Sequence, residues 1–114
     1  TEEGALVSVG KAELYAVTEL PPGERVKVMV HPEEVLLLPL GYGSGSARNR
    51  LPARVLEVRE VGPVVRVKLD CGFPLAAHVT RASRRELGIE PGTVLQAAIK
   101  ATSVHLMPYS SRDA

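Results

Sequence analysis

Pro91-Gly92-Thr93-Val94-Leu95-Gln96-Ala97-Ala98-Ile99-Lys100-Ala101 has a counterpart earlier in the chain, Pro22-Gly23-Glu24-Arg25-Val26-Lys27-Val28-Met29-Val30-His31-Pro32. Each begins with a Pro-Gly turn and runs on into an apolar-rich segment with the period of a β-strand. Val104 and Leu106 then fall where Val35 and Leu37 fall in the earlier copy. The echo extends upstream, since Gly62-Pro63-Val64-Val65-Arg66-Val67 matches Gly4-Ala5-Leu6-Val7-Ser8-Val9. Two matches in the same order mark a duplicated β-unit.

The copies differ in two places. Thr80 to Glu90 is inserted before the second Pro-Gly turn and predicts a short helix: Thr80 as N-cap, Ser83 with Glu86 at capping-box spacing, and Gly88 as the left-handed stop. Arg50 to Val61 predicts an opening strand for the second copy, with Leu56 and Val58 alternating with Glu57 and Arg59. Only Thr1-Glu2-Glu3 precedes Gly4, so the corresponding strand of the first copy is expected upstream, in a longer protein, and a sheet edge is left to cover. Val65, Val67 and Leu69 are expected on one face with Arg66, Lys68 and Asp70 on the other. Val26, Val28 and Val30 alternate in the same way with Arg25, Lys27 and Met29.

Short strands, Gly/Pro turns and one short helix predict an all-β fold of tandem small OB-like barrels. The expected divisions are residues 1–40, a first and N-terminally incomplete unit; residues 41–108, a second barrel carrying the helix; and a frayed tail over 109–114.

At 114 residues the chain has room for a modest core, a size suited to binding or regulation more than to a full enzyme. Lys and Arg number 14 against 13 Asp and Glu, so anion recognition has to be local rather than field-driven. The single cysteine, Cys71, excludes an intramolecular disulfide and reads as a buried structural thiol in a reducing compartment. No apolar run is long enough to span a bilayer, and a cytoplasmic location is expected.

A tetrahedral dianion needs hydroxyls, backbone N–H groups and one or two cations around its oxygens. Ser46-Ala47-Arg48-Asn49 follows the Gly/Ser loop Gly41 to Gly45, whose backbone can form an anion-binding concavity. Thr80 and Ser83 stand at the start of the predicted helix, and Lys100 near the end of the last long strand. Taken singly, each has a plainer reading: a polar loop, a helix cap, a surface charge. Arg81, Arg84 and Arg85 read as a solvated helix face.

The segments Ser46-Ala47-Arg48-Asn49, Val79-Thr80-Arg81-Ala82-Ser83 ahead of Glu86-Leu87-Gly88, and Ile99-Lys100-Ala101-Thr102 together resemble the Mop or TOBE domain. That domain occurs in molbindins, in molybdate-responsive regulators, and at the C-terminus of the ATP-binding subunit of molybdate/tungstate importers. His31-Pro32-Glu33-Glu34-Val35 is similar to the Arg-Pro-Glu-Asp segment of importer ATPases, with His31 in place of the arginine. The resemblance implies molybdate or tungstate as ligand, held by Ser46, Arg48, Thr80, Ser83 and Lys100 with backbone N–H groups of Ala47 and Ala101. It also implies a homodimer or higher oligomer with the ligand at subunit interfaces. A parent ATPase domain and a membrane permease are the implied partners, which would put the domain at the inner face of the membrane.

Two other readings stay open under the resemblance: a ligand-free structural dimerisation domain, and a free-standing molbindin. Enzyme readings are weak, because no P-loop is present and Gly41-Tyr42-Gly43-Ser44-Gly45-Ser46 lacks the third glycine of a dinucleotide loop. Nucleic acid is not an expected partner, given Phe73, Tyr15, Tyr42 and Tyr109 as the only aromatics of their kind and no tryptophan. His31, His78 and His105 are scattered, with no spacing suited to zinc, so no metal is expected.

Overall fold

The computed structural model describes residues 4–18, 20, 22–23, 25–41 and 49–108. Within them the chain forms β1 (Gly4–Val9), β2 (Ala12–Val17), β3 (Val26–Met29), a 3-10 turn (Pro32–Glu34), β4 (Leu36–Leu38), β5 (Asn49–Val61), β6 (Val64–Asp70) and β7 (Pro74–Val79). Helix α1 (Arg81–Leu87), β8 (Val94–Ile99), a second 3-10 turn (Ala101–Ser103) and β9 (His105–Pro108) complete it. The fold is all-β with one short helix, as expected.

The repeat is realised element by element. Hairpin β1–β2 corresponds to β6–β7, and β3, 3-10 turn, β4 to β8, 3-10 turn, β9. The copies then exchange strands: β3 pairs antiparallel with β9, and β4 with β8. Val28 faces Leu106 and Leu37 faces Ala97, which are the same two repeat positions taken in opposite order. Each 3-10 turn likewise packs on the other copy's hairpin, Pro32–Glu34 on β7 and Ala101–Ser103 on β2. The arrangement is a pseudo-twofold, with strand pairing that crosses Gly41.

The largest sheet has the order β4-β8-β5-β6-β7, while β1-β2 and β3-β9 form two-stranded sheets. Among the described residues no strand of the first copy corresponds to β5. One core serves both copies, joining Leu14, Ala16, Val35 and Leu37 to Val55, Val65, Val67, Leu69, Ile89, Leu95 and Ile99. Val65 and Val67 are fully buried while Lys68 and Asp70 are exposed, the alternation expected of a half-buried strand.

β5 departs from its expected facing. The register shifts between Val55 and Glu57, so Leu56 has no partner on β6 and is 52% exposed, whereas Val55 is buried. A bulge inserts one residue and flips the side-chain phase. Alternation ahead of it runs through Asn49, Ala53 and Val55, and after it through Val58.

The hairpin tips of the two copies meet. Gly10, at φ 57°, lies so close to the Gly72 carbonyl that a Cβ there would overlap the oxygen, and the Lys11 N–H donates to the same carbonyl at 3.0 Å. Only glycine suits both the left-handed backbone and the approach. Beside this contact Cys71 is buried, as expected, with its thiol directed at the Phe73 carbonyl.

Candidate functional site

The helix forms where its caps predict. Thr80 Oγ1 accepts from the Ser83 N–H at 3.0 Å, and Gly88 closes the helix at φ 63°, ψ 43° with its N–H returned to Arg84 and Arg85 carbonyls. Thr80 and Ser83 also share a hydroxyl–hydroxyl hydrogen bond of 3.0 Å. Two arginines of the helix are anchored locally: Arg81 pairs with Glu60 at 3.2 Å, and Arg84 with Glu90 at 3.1 Å.

Thr80 and Ser83 open onto a cleft of about 390 Å³ between the first copy's 3-10 turn and the β7–α1 corner. Glu33, Glu34, Leu36, His78 and Leu87 also line it. Arg66 reaches the Nε2 of His78 at 3.2 Å. Arginine has only donors, so this ring nitrogen acts as acceptor.

Lys100 and Ala101 sit elsewhere, at the start of the second 3-10 turn and outside the lining of that cleft. Lys100 is exposed and its backbone is extended (φ −69°, ψ 146°). The turn returns the N–H groups of Ser103 and Val104 to the carbonyls of Lys100 and Ala101, which leaves the N–H groups of Ala101 and Thr102 with no acceptor within the turn. Ser46, Ala47 and Arg48 lie outside the described residues.

Asn49, the last residue of that motif, is described, and sequence reasoning gave it no role of its own. It is 5% exposed, and its Nδ2 donates to the carbonyls of Tyr15 at 2.9 Å and Ile99 at 3.2 Å, while its Oδ1 accepts from the Tyr15 N–H. It therefore ties β2 of one copy to the β5–β8 ladder of the other. A side-chain amide at the head of an alternating strand was the available signal.

Two of the histidines, scattered in the sequence, are neighbours in the fold. His31 and His105, far apart in the chain, come together with Glu34: the ring centroids are 5.1 Å apart, and His105 Nε2 is 3.4 Å from Glu34 Oε1. His78 stands apart from them, on Arg66. The spacing of His31 and Glu34, three residues apart across a 3-10 turn, was the local part of the signal. The contribution of His105 depends on the β3–β9 pairing.

These features define a TOBE domain, whose family matches residues 45–106, and the chain belongs to that family. Among its relatives, it is 33% identical to the molybdate/tungstate import ATP-binding protein WtpC of Pyrococcus horikoshii, over 92% of this chain and 30% of the relative. It is 39% identical to the molybdenum import ATP-binding protein ModC of Pseudomonas aeruginosa, over 87% of this chain and 29% of the relative. The chain thus spans less than a third of the length of these relatives. Among solved structures, the cytoplasmic molybdate-binding protein ModG with molybdate bound superposes with a TM-score of 0.79 at 31% identity, covering 88% of this chain and 79% of that one. A molybdate-binding protein from Sporomusa ovata gives a TM-score of 0.52 at 30% identity over 57% of this chain and 98% of that one. It spans little more than one copy of the repeat.

Proposed function

We propose that this chain is the regulatory oxyanion-binding domain of an importer's ATP-binding subunit, taking molybdate or tungstate at a dimer interface. The observation that carries this is the register of β5 against β8, in which Asn49 faces Ile99. Ser46-Ala47-Arg48 is joined to the first of these residues and Lys100-Ala101 to the second, and successive Cα atoms are about 3.8 Å apart. Two motifs separated by half the chain are thereby tethered to one end of one strand pair. Lys100 would supply charge, and the Ala101 N–H a donor, to the oxyanion that Ser46, Ala47 and Arg48 also hold.

Within one chain Lys100 lies outside the lining of the cleft onto which Thr80 and Ser83 open. That separation supports a site completed by the hydroxyls of a second copy. Binding would then favour the dimer by the difference in affinity between the two assembly states. ATP hydrolysis would belong to another part of a full-length subunit, acting with a permease at the inner face of the membrane. No helix among the described residues is long and apolar enough to cross a membrane.

A second reading has its own support. Thr80 and Ser83 are hydrogen-bonded to each other, and Glu33 and Glu34 line their cleft. That environment suits a ligand-free dimerisation domain. Thermal unfolding with molybdate, tungstate, sulfate and phosphate at matched ionic strength separates the two. A ligand at about 100 times its Kd stabilises the fold by about 2.7 kcal/mol. Stabilisation by molybdate or tungstate that Arg48→Ala removes supports the oxyanion reading; none with any anion leaves the structural one.

A further inference from the structure

His31, Glu34 and His105 present ring nitrogens and a carboxylate oxygen that all lie within 4.8 Å of one another. Three backbone positions hold them: His31 precedes the first 3-10 turn, Glu34 ends it, and His105 opens β9 opposite Met29. Ser103 Oγ, on a residue only 8% exposed, donates to Glu34 Oε2 at 3.3 Å and leaves Oε1 toward His105. The two side chains of that last pair keep 43% and 37% of their surface open to solvent.

The internal repeat indicates the sign of the ligand. His31 occupies the repeat position of Lys100, Pro32 that of Ala101, and Glu34 that of Ser103. The first copy has therefore exchanged a permanent cation for an imidazole, a backbone N–H donor for a proline that has none, and a hydroxyl for a carboxylate. Every change disfavours an anion and supplies a lone pair or a negative charge to a cation.

We infer that His31, Glu34 and His105 form a binding site for a single divalent transition-metal ion of the zinc type. Two imidazoles and one carboxylate are a donor set that zinc takes with a fourth position left to water, whereas magnesium and calcium prefer oxygen alone. Ligands at about 2.0–2.2 Å from a tetrahedral ion are about 3.3–3.6 Å apart. The Glu34–His105 separation of 3.4 Å already meets that, and rotation of the accessible His31 ring closes the rest. His31 and Glu34 come from the first copy and His105 from the second. A bound ion would therefore clamp the β3–β9 ladder, next to the cleft that Glu34 shares with Thr80 and Ser83.

The test is zinc titration of the whole chain against a chromophoric chelator, with histidine-ring NMR on the same samples. The expected result is a single ion bound, with the His31 and His105 rings shifted and His78 unmoved. His105→Gln and Glu34→Gln should each weaken binding by more than about tenfold, the loss that removing even an outer hydrogen-bond partner can cause. Magnesium should not compete. Absence of zinc binding at micromolar concentrations overturns the site, as does binding that leaves both rings unshifted or that survives His105→Gln at unchanged affinity. The ring shifts are read on the unaltered protein, so a variant that fails to fold does not obscure the answer.

Discussion

Asn49 holds the main chain of Tyr15 from both sides, donating from Nδ2 to its carbonyl at 2.9 Å and accepting its N–H at Oδ1. A side-chain amide here does what a neighbouring strand would do for β2. Its second bond to the Ile99 carbonyl places the clamp where the two copies join.

Asn49→Ala removes one partner from three buried or half-buried backbone groups. Each unsatisfied group costs about 1–3 kcal/mol, so a loss of about 3 kcal/mol is expected in urea unfolding. Asn49→Asp should recover little, because it keeps the acceptor for the Tyr15 N–H but sets a carboxylate against two carbonyls. A loss below half a kilocalorie in Asn49→Ala would show that water replaces the clamp.

Gly10→Ala should destabilise by more than the about 1–2 kcal/mol of a left-handed backbone, since its Cβ also meets the Gly72 carbonyl oxygen. Gly62→Ala makes the control, because its φ of 59° is similar but its Cβ meets nothing within 4 Å. The difference between their unfolding free energies reads the hairpin contact alone.

Thr80→Ala and Ser83→Ala separate capping from binding. Thr80→Ala loses the side-chain acceptor for the Ser83 N–H and about 1 kcal/mol with it. Ser83→Ala keeps that N–H and should leave stability within about 0.5 kcal/mol. If both hydroxyls hold oxyanion, molybdate calorimetry should show weaker binding in both variants despite the difference in stability.

Burial raises the Cys71 thiol above its ordinary pKa, partly countered by the Phe73 backbone and reinforced by Asp70. The unfolded chain then loses this proton at lower pH than the folded one, so the contribution to stability falls as pH rises from the ordinary thiol pKa to the raised one. Stability should be flat in this respect at neutral pH and decline in the alkaline range, and Cys71→Ala should remove that part of the decline. Urea midpoints measured from pH 7 to about 10 report it.

How much of this was legible depends on the range of each interaction. β6 and α1 were readable because alternation and capping act over a few residues, and Val65, Val67, Thr80 and Gly88 stand as expected. The bulge at Leu56 was not, because a one-residue phase shift leaves the apolar composition of the strand unchanged. The duplication was visible, but the strand exchange was not: β3 has no local signal that selects β9 over a strand of its own copy. The meeting of His31 with His105 follows from that exchange and was equally hidden. Of the expected oxyanion residues, Thr80, Ser83, Lys100 and Ala101 are described, and Ser46, Ala47 and Arg48 lie outside the described residues.

The exchanged strands also set an order of events in synthesis. β3 and β4 emerge from the ribosome before β5, β6 and β7, yet their partners β9 and β8 are made only after all three. Pairing across most of the chain delays the closure entropy's repayment and slows folding relative to local hairpins. Hairpins β1–β2 and β6–β7 can close during translation, whereas β3 and β4 must wait for β9 and β8. The first copy is thus committed to its structure only once the second has been made.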